Sequence, residues 1–182
     1  MTVTWYLTIR GRGESSRIVF TMLGVFILMT IVMAVGLFLA KARGVPAVVS
    51  TGCLDMVNFG SPETVPAKFA GRKFYQHNPQ VTLMRTSPEE CAQLGRLLAE
   101  KLNLSCGPVT VLLPLRGGSV IGAPGGPFHD PAADGALYAS LKGALRSDIP
   151  VVELDCAIND PAFAEACAQA LLQQLGNPDP RH

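Results

Sequence analysis

The sequence predicts an α/β domain of the Rossmann-like three-layer kind, with a mostly parallel sheet of about four strands, preceded by an N-terminal transmembrane helix. Three observations carry that expectation. Short β-branched runs show little polar alternation, amphipathic segments with clear start signals lie between them, and one long uncharged run sits near the N-terminus. A chain of 182 residues suits one domain, and 48% hydrophobic content is enough for a core.

Residues 1–17 form a short leading segment. From Ile18 to Ala40 the chain carries no charge, and most of the excess in its mean hydropathy of +0.30 sits in this stretch. At about 1.5 Å of rise per residue, such a helix crosses a hydrocarbon core of about 30 Å. Ala40-Lys41-Ala42 has the small-x-small look of a signal cleavage site. The apolar run is nevertheless too long for a signal peptide, and a lysine occupies the middle of the site. The expected protein is therefore single-pass in a membrane, with an α/β domain at 41–176 in the cytoplasm. The alternative is a cytoplasmic protein in which 18–40 is a buried core helix.

After the anchor, "PAVVS" (46–50), "VTLM" (81–84), "VTVLLP" (109–114) and "VVELD" (151–155) read as strands covered on both faces. The helices are placed by their start signals. Ser87-Pro88-Glu89-Glu90 is a capping box with proline at the first helical position, and Cys91, Leu94, Leu97, Leu98 and Leu102 form the expected inner face. Asp130-Pro131 opens a second helix, with Ala133, Leu137, Leu141 and Leu145 inward. Asp160-Pro161 opens a third, with Phe163, Cys167, Leu171 and Leu175 inward, and 177–182 is a tail.

A net charge of +1 with 16% charged residues offers no basic stripe, which argues against nucleic acid as a partner. The five cysteines, at 53, 91, 106, 156 and 167, include no CxxC pair, so neither a metal site nor a disulfide framework is expected.

In parallel sheets, ligands gather at the carboxyl ends of the strands. That rule nominates four loops. In the first, Asp55 and Asn58 are three residues apart, and one helical turn would put them on one face to hold a hydroxyl or an amine. In the second, Arg85 and Thr86 stand beside a helix start and suit an anion. The alternative for Arg85 is a pair with Glu89 or Glu90. In the third, Gly117, Gly118 and Ser119 can form a nest of N–H groups around a phosphate or carboxylate, with Arg116 adding charge. The fourth, Asn159-Asp160-Pro161, reads as a helix cap. His77 and His129 are the histidines outside the tail; the sequence places no carboxylate beside His77, and a histidine bonded to backbone is the commoner outcome.

Taken together, "GVPAVVSTGCLDMVNFG", "VPAKFAGRKFYQHNPQVTLMRTSPEE", "GPVTVLLPLRGGSVI", "GGPFHDPAADGALYASLKGAL" and "INDPAFA" resemble the carboxyl-terminal subdomain of one family. It is the ATP-binding domain family typified by the tomato mosaic virus resistance protein, an uncharacterised protein family in bacteria. The resemblance runs from about Lys41 to Leu175. It implies two Rossmann-like subdomains in tandem in full-length members, ATP as the ligand, and no settled reaction. The chain departs from the family pattern at Gly122, where members carry an acidic residue. By the resemblance, the amino-terminal subdomain and the opening strands of the second are expected to be missing, with the hydrophobic run in their place. The sheet is then expected to have one uncovered edge, for a second copy, the missing subdomain or a membrane surface to cover.

Three functions follow as expectations. The first is a membrane-anchored module binding a nucleotide or other anion through Arg85, Thr86, Gly117, Gly118, Ser119, Asp55 and Asn58. The second is a non-catalytic interaction module or the remnant of a larger two-subdomain protein. The third is a serine hydrolase using Ser119 with His77 or His129.

Overall fold

The computed structural model describes residues 44–176. In chain order the elements are β1 (Ala47–Ser50), β2 (Met56–Phe59), two 3-10 turns (Pro62–Thr64 and Ala67–Phe69), β3 (Phe74–Asn78) and β4 (Val81–Arg85). Then follow α1 (Pro88–Asn103), β5 (Val109–Pro114), α2 (Pro131–Ala144), β6 (Val151–Leu154) and α3 (Pro161–Gly176).

The strands make two sheets rather than one. A parallel sheet has the order β1-β5-β6, with Ala47 opposite Val109 and Val111 opposite Val151. An antiparallel sheet has the order β2-β4-β3, with Met56 opposite Arg85 and Phe74 opposite Met84. This corrects the expected sheet of about four mostly parallel strands, because "VTLM" is the centre of the antiparallel sheet. Thr82, Leu83, Met84 and Arg85 are all buried, and a fully covered strand reads the same whichever way its neighbours run. The neighbours β2 and β3 are short and largely exposed, so neither gives an alternating signal. At the β3–β4 turn, Asn78 Oδ1 accepts from Gln80 N at 2.8 Å, the local bond that lets asparagine make a turn.

Every residue of β5 is buried, and its two faces serve two layers. Val109, Val111 and Leu113 join Cys91, Ala99, Leu102, Ala133, Leu137 and Leu141 in the main core, under α1 and α2. Thr110 points the other way, as alternate strand residues must, and its hydroxyl accepts from Gln174 Nε2 of α3 at 2.6 Å. Helices therefore lie on both faces of the parallel sheet.

The helix starts behave as their residues dictate. Ser87 Oγ accepts from Glu90 N at 3.3 Å, and Glu90 Oε2 accepts from Ser87 N at 2.7 Å, closing the capping box. Arg72 donates to both oxygens of Glu90 and, at 2.8 Å, to the carbonyl of Arg85. The Arg72 guanidinium is the largest cause holding the Glu90 carboxyl below its ordinary value. Glu90 is thus taken by Arg72, and the alternative pairing of Arg85 with Glu89 or Glu90 does not form. Asp130 caps α2 by accepting from Ala133 N at 3.0 Å.

The close packing of α1 on α2 is made by a missing side chain. A β-carbon on Gly95 would lie 2.5 Å from the Leu137 carbonyl oxygen and 2.9 Å from Leu141 N. Only glycine lets the two helices approach this closely at that point.

Two helix faces differ from expectation. Leu97 is exposed because α1 turns Gly95 and Ala99 inward instead. On α3 only Phe163 is buried, while Leu172 and Leu175 are 66% and 59% exposed. Among the described residues, no helix is long and apolar enough to cross a membrane. The apolar run at 18–40 lies outside them, as does the tail at 177–182.

Candidate functional site

Three chain segments meet beyond the carboxyl ends of β1 and β5. The loop after β1 brings Thr51 and Asp55, and the glycine-rich segment 115–130 follows β5 directly. The junction of β4 with α1 brings Arg85 and Thr86. All four of these polar side chains, together with Ser119, are buried.

Arg85 ties the segments together. Its guanidinium donates to the Asp55 carbonyl at 3.1 Å, the Asp130 carbonyl at 3.2 Å and Asp134 Oδ1 at 2.5 Å, and it is 3% exposed. Thr86 donates from its hydroxyl to the Leu54 carbonyl at 3.1 Å and from its backbone N–H to the Asp55 carbonyl at 3.1 Å. Apart from Arg85 Nε, which is buried without a partner among the described residues, these donors are spent inside the protein, holding the loop after β1 against α2.

Asp55 and Ser119 meet across 64 positions of sequence. Ser119 Oγ donates to Asp55 Oδ2 at 2.5 Å and accepts from Gly122 N at 3.0 Å. The Cys53 N–H also bonds the Gly118 carbonyl, at 2.9 Å, so the two loops are laced by backbone as well. A side chain at Gly122 would run into Asp55 Oδ2, which is the physical meaning of glycine at this position. Among the described residues, Ser50 Oγ, Thr51 Oγ1 and Asp55 Oδ1 are buried without hydrogen-bond partners, an unusual concentration at one strand end.

The expected residues are thus brought together unequally. Asp55, Arg85, Thr86, Gly118 and Ser119 share one buried polar cluster. Asn58 does not join it: it is exposed on β2, paired across from Leu83, because the segment after Asp55 extends instead of turning helically. The N–H groups of Arg116 and Gly117 are spent on the carbonyls of Cys156 and Pro114, so the nest expected there is partly closed. His77 is exposed on β3, and His129 Nδ1 lies 3.3 Å from the Gly122 carbonyl. The Ser119 hydroxyl is held by a carboxylate and a backbone N–H, with no imidazole on it. A serine nucleophile with a histidine base is not assembled among the described residues.

Beside this cluster a cavity of about 150 Å³ opens at the end of β5, lined by Arg116, Gly117, His129, Pro131, Asp134 and Tyr138 among others. Asp134 and Tyr138 are the wall residues that sequence reasoning missed. Both fall on the face of α2 that also carries core residues, and nothing in their spacing marks them. Burial raises the Asp134 carboxyl above its ordinary range, with the Arg85 charge and hydrogen bond pulling the other way. Burial also pushes the Tyr138 phenol up to about 12, helped by the negative charges of Asp134 and Asp55. That phenol stays protonated and donates to the Pro114 carbonyl at 2.8 Å. Arg116 is the loosely held cation of the wall: its pair with Asp155, at 3.2 Å, has side chains 62% and 81% exposed, which makes it weak and easily exchanged. No group of three His, Cys, Asp or Glu that could hold a metal gathers among the described residues.

The sequence pattern of the Uncharacterised protein family (UPF0261) C-terminal domain matches residues 36–175. A UPF0261 protein of Rhizobium meliloti is 54% identical over 135 residues, covering 73% of this chain and 34% of the relative. A UPF0261 protein of Clostridium tetani is 43% identical over 137 residues, covering 75% and 34%. The ToMV resistance protein Tm-1 of Solanum lycopersicum is 41% identical over 142 residues, covering 77% of this chain and 19% of that protein. The chain spans about a third of the length of the bacterial relatives it matches. By the extent of these matches, the chain belongs to the UPF0261 family and matches its C-terminal domain.

Proposed function

We propose that the chain is a binding domain for a small anionic ligand, bearing phosphate or carboxylate, at the carboxyl end of β5. The observation that carries this reading is the cavity itself: about 150 Å³ at a strand end, with Arg116 and His129 in its wall. Asp134 does not cancel that positive character, because its charge is already met by Arg85. ATP, which the family resemblance implies, is one phosphate-bearing candidate. The cavity is near the size that accepts a benzene molecule, so it takes one end of a nucleotide and not the whole.

Arg85, Thr86, Asp55 and Ser119 then act behind the wall, fixing the loops that form it, whereas Arg116 and Gly117 face the ligand. Titration of the full chain with inorganic phosphate, acetate and ATP tests the reading. Saturable binding of at least one is expected, and Arg116→Gln is expected to weaken it about tenfold, the loss of one charge-assisted bond. A wild-type chain that binds none of the three overturns it.

The uncharged run at 18–40 supports attachment of this domain to a membrane. The full chain is then expected in the membrane fraction and to resist extraction by high salt or carbonate. Recovery in the soluble fraction would count against an anchor.

A further inference from the structure

We infer that the ligand of this cavity carries a hydroxyl or ammonium donor beside its anionic group, and that Asp134 receives that donor. The inference rests on the anion-binding reading above and supplies the other half of the ligand.

Asp134 is a half-used acceptor. Arg85 Nη2 occupies Oδ1 at 2.5 Å, and no donor among the described residues reaches Oδ2. The carboxylate forms part of the cavity wall with its side chain 16% exposed, so the remaining oxygen is open to a ligand and little else. An ionised carboxylate has about four lone-pair sites, which leaves ample capacity once one is filled.

The carboxylate is also held in place. Arg85 is 3% exposed and is itself fixed by the carbonyls of Asp55 and Asp130, so the acceptor cannot swing away. The same guanidinium screens Asp134 from the ligand's anionic group, which would otherwise be repelled by a bare carboxylate. Arg116 and His129 line the same cavity and suit that anionic group.

Volume sets the class. The cavity of about 150 Å³ is open on one side, so it seats a phosphoryl or carboxyl group with an adjoining hydroxyl-bearing carbon and leaves the rest of a ligand outside. Hydroxy acids and sugar phosphates fit this description, whether free or as the ribosyl-phosphate end of a nucleotide.

Isothermal titration of the full chain with inorganic phosphate, glycerol 3-phosphate and propyl phosphate tests the inference. The last two differ chiefly in hydroxyl groups. Wild type is expected to favour glycerol 3-phosphate over propyl phosphate by about tenfold or more, the worth of a hydrogen bond to a charged group. Asp134→Asn is expected to shrink that ratio to about one; because the ratio compares two esters on the same variant, a change in phosphate affinity common to both cancels. Equal binding of the two esters by wild type overturns the inference and leaves the anion-binding reading standing, provided phosphate binds. Failure of all three overturns both. Retention of the full ratio in Asp134→Asn removes Asp134 from the role. Should that variant not fold, Asp134→Glu keeps the charge for Arg85 but moves the open oxygen, and an undiminished ratio there removes Asp134 from the role in the same way.

Discussion

Arg85→Met is expected to cost about 3–5 kcal/mol of folding free energy, read as a lower urea midpoint with an unchanged slope. The size follows from what stays behind. Asp134 would keep a carboxylate beneath the surface with no cation beside it, and the carbonyls of Asp55 and Asp130 would each lose a donor. Removing one member of a buried pair is costly because the other cannot regain its water. The double variant Arg85→Met, Asp134→Leu should recover much of the loss, since it removes the stranded charge as well. If the double variant is no better than the single, the pair is not the source of the effect. The measurement also separates two roles for Arg85: a direct ligand contact would alter binding without this stability signature.

Phe128→Ala should be of similar size, about 3–5 kcal/mol. Phe128 has no exposed surface and heads the largest fully buried side chains, although it sits in a segment of glycines and prolines. Its ring meets that of Tyr75 on β3 nearly edge-on, with centroids 6.3 Å apart. Phe128 N also bonds the Ile121 carbonyl at 2.8 Å, folding the glycine-rich segment back on itself. The ring is therefore the anchor by which the antiparallel sheet and the cavity loop hold each other. Thermal unfolding of Phe128→Ala checks this. A shift below about 2 °C would mean that the loop is held by its backbone bonds alone.

The layered helices and the β5 core were legible because each depends on short-range signals. Caps such as Ser87-Glu90 and Asp130-Pro131 act within one turn, and β5 announces itself by unbroken burial. The second sheet was not legible. Its central strand looks like any covered strand, and β2 begins one residue after Asp55, where a spacing of three suggested a helical turn. The candidate cluster was visible in part, since the strand-end rule finds Asp55, Arg85 and Ser119 but does not say that they bond one another or their neighbours. Asp134 was invisible for a plain reason: on its own helix it is one polar residue among several. Only the meeting of the start of α2 with the end of β4 makes it the partner of an arginine 49 residues earlier.

The bonds made by the Arg85 guanidinium to Asp55, Asp130 and Asp134 span 30, 45 and 49 residues. During synthesis at about 5–20 residues per second, Asp134 emerges roughly 2–10 s after Arg85. Through that interval β4 exists with its neighbouring strands but holds a guanidinium that has no carboxylate to meet. The antiparallel sheet is complete in sequence before its buried charge is met, and the carboxylate that meets it comes from a helix that belongs to the other sheet.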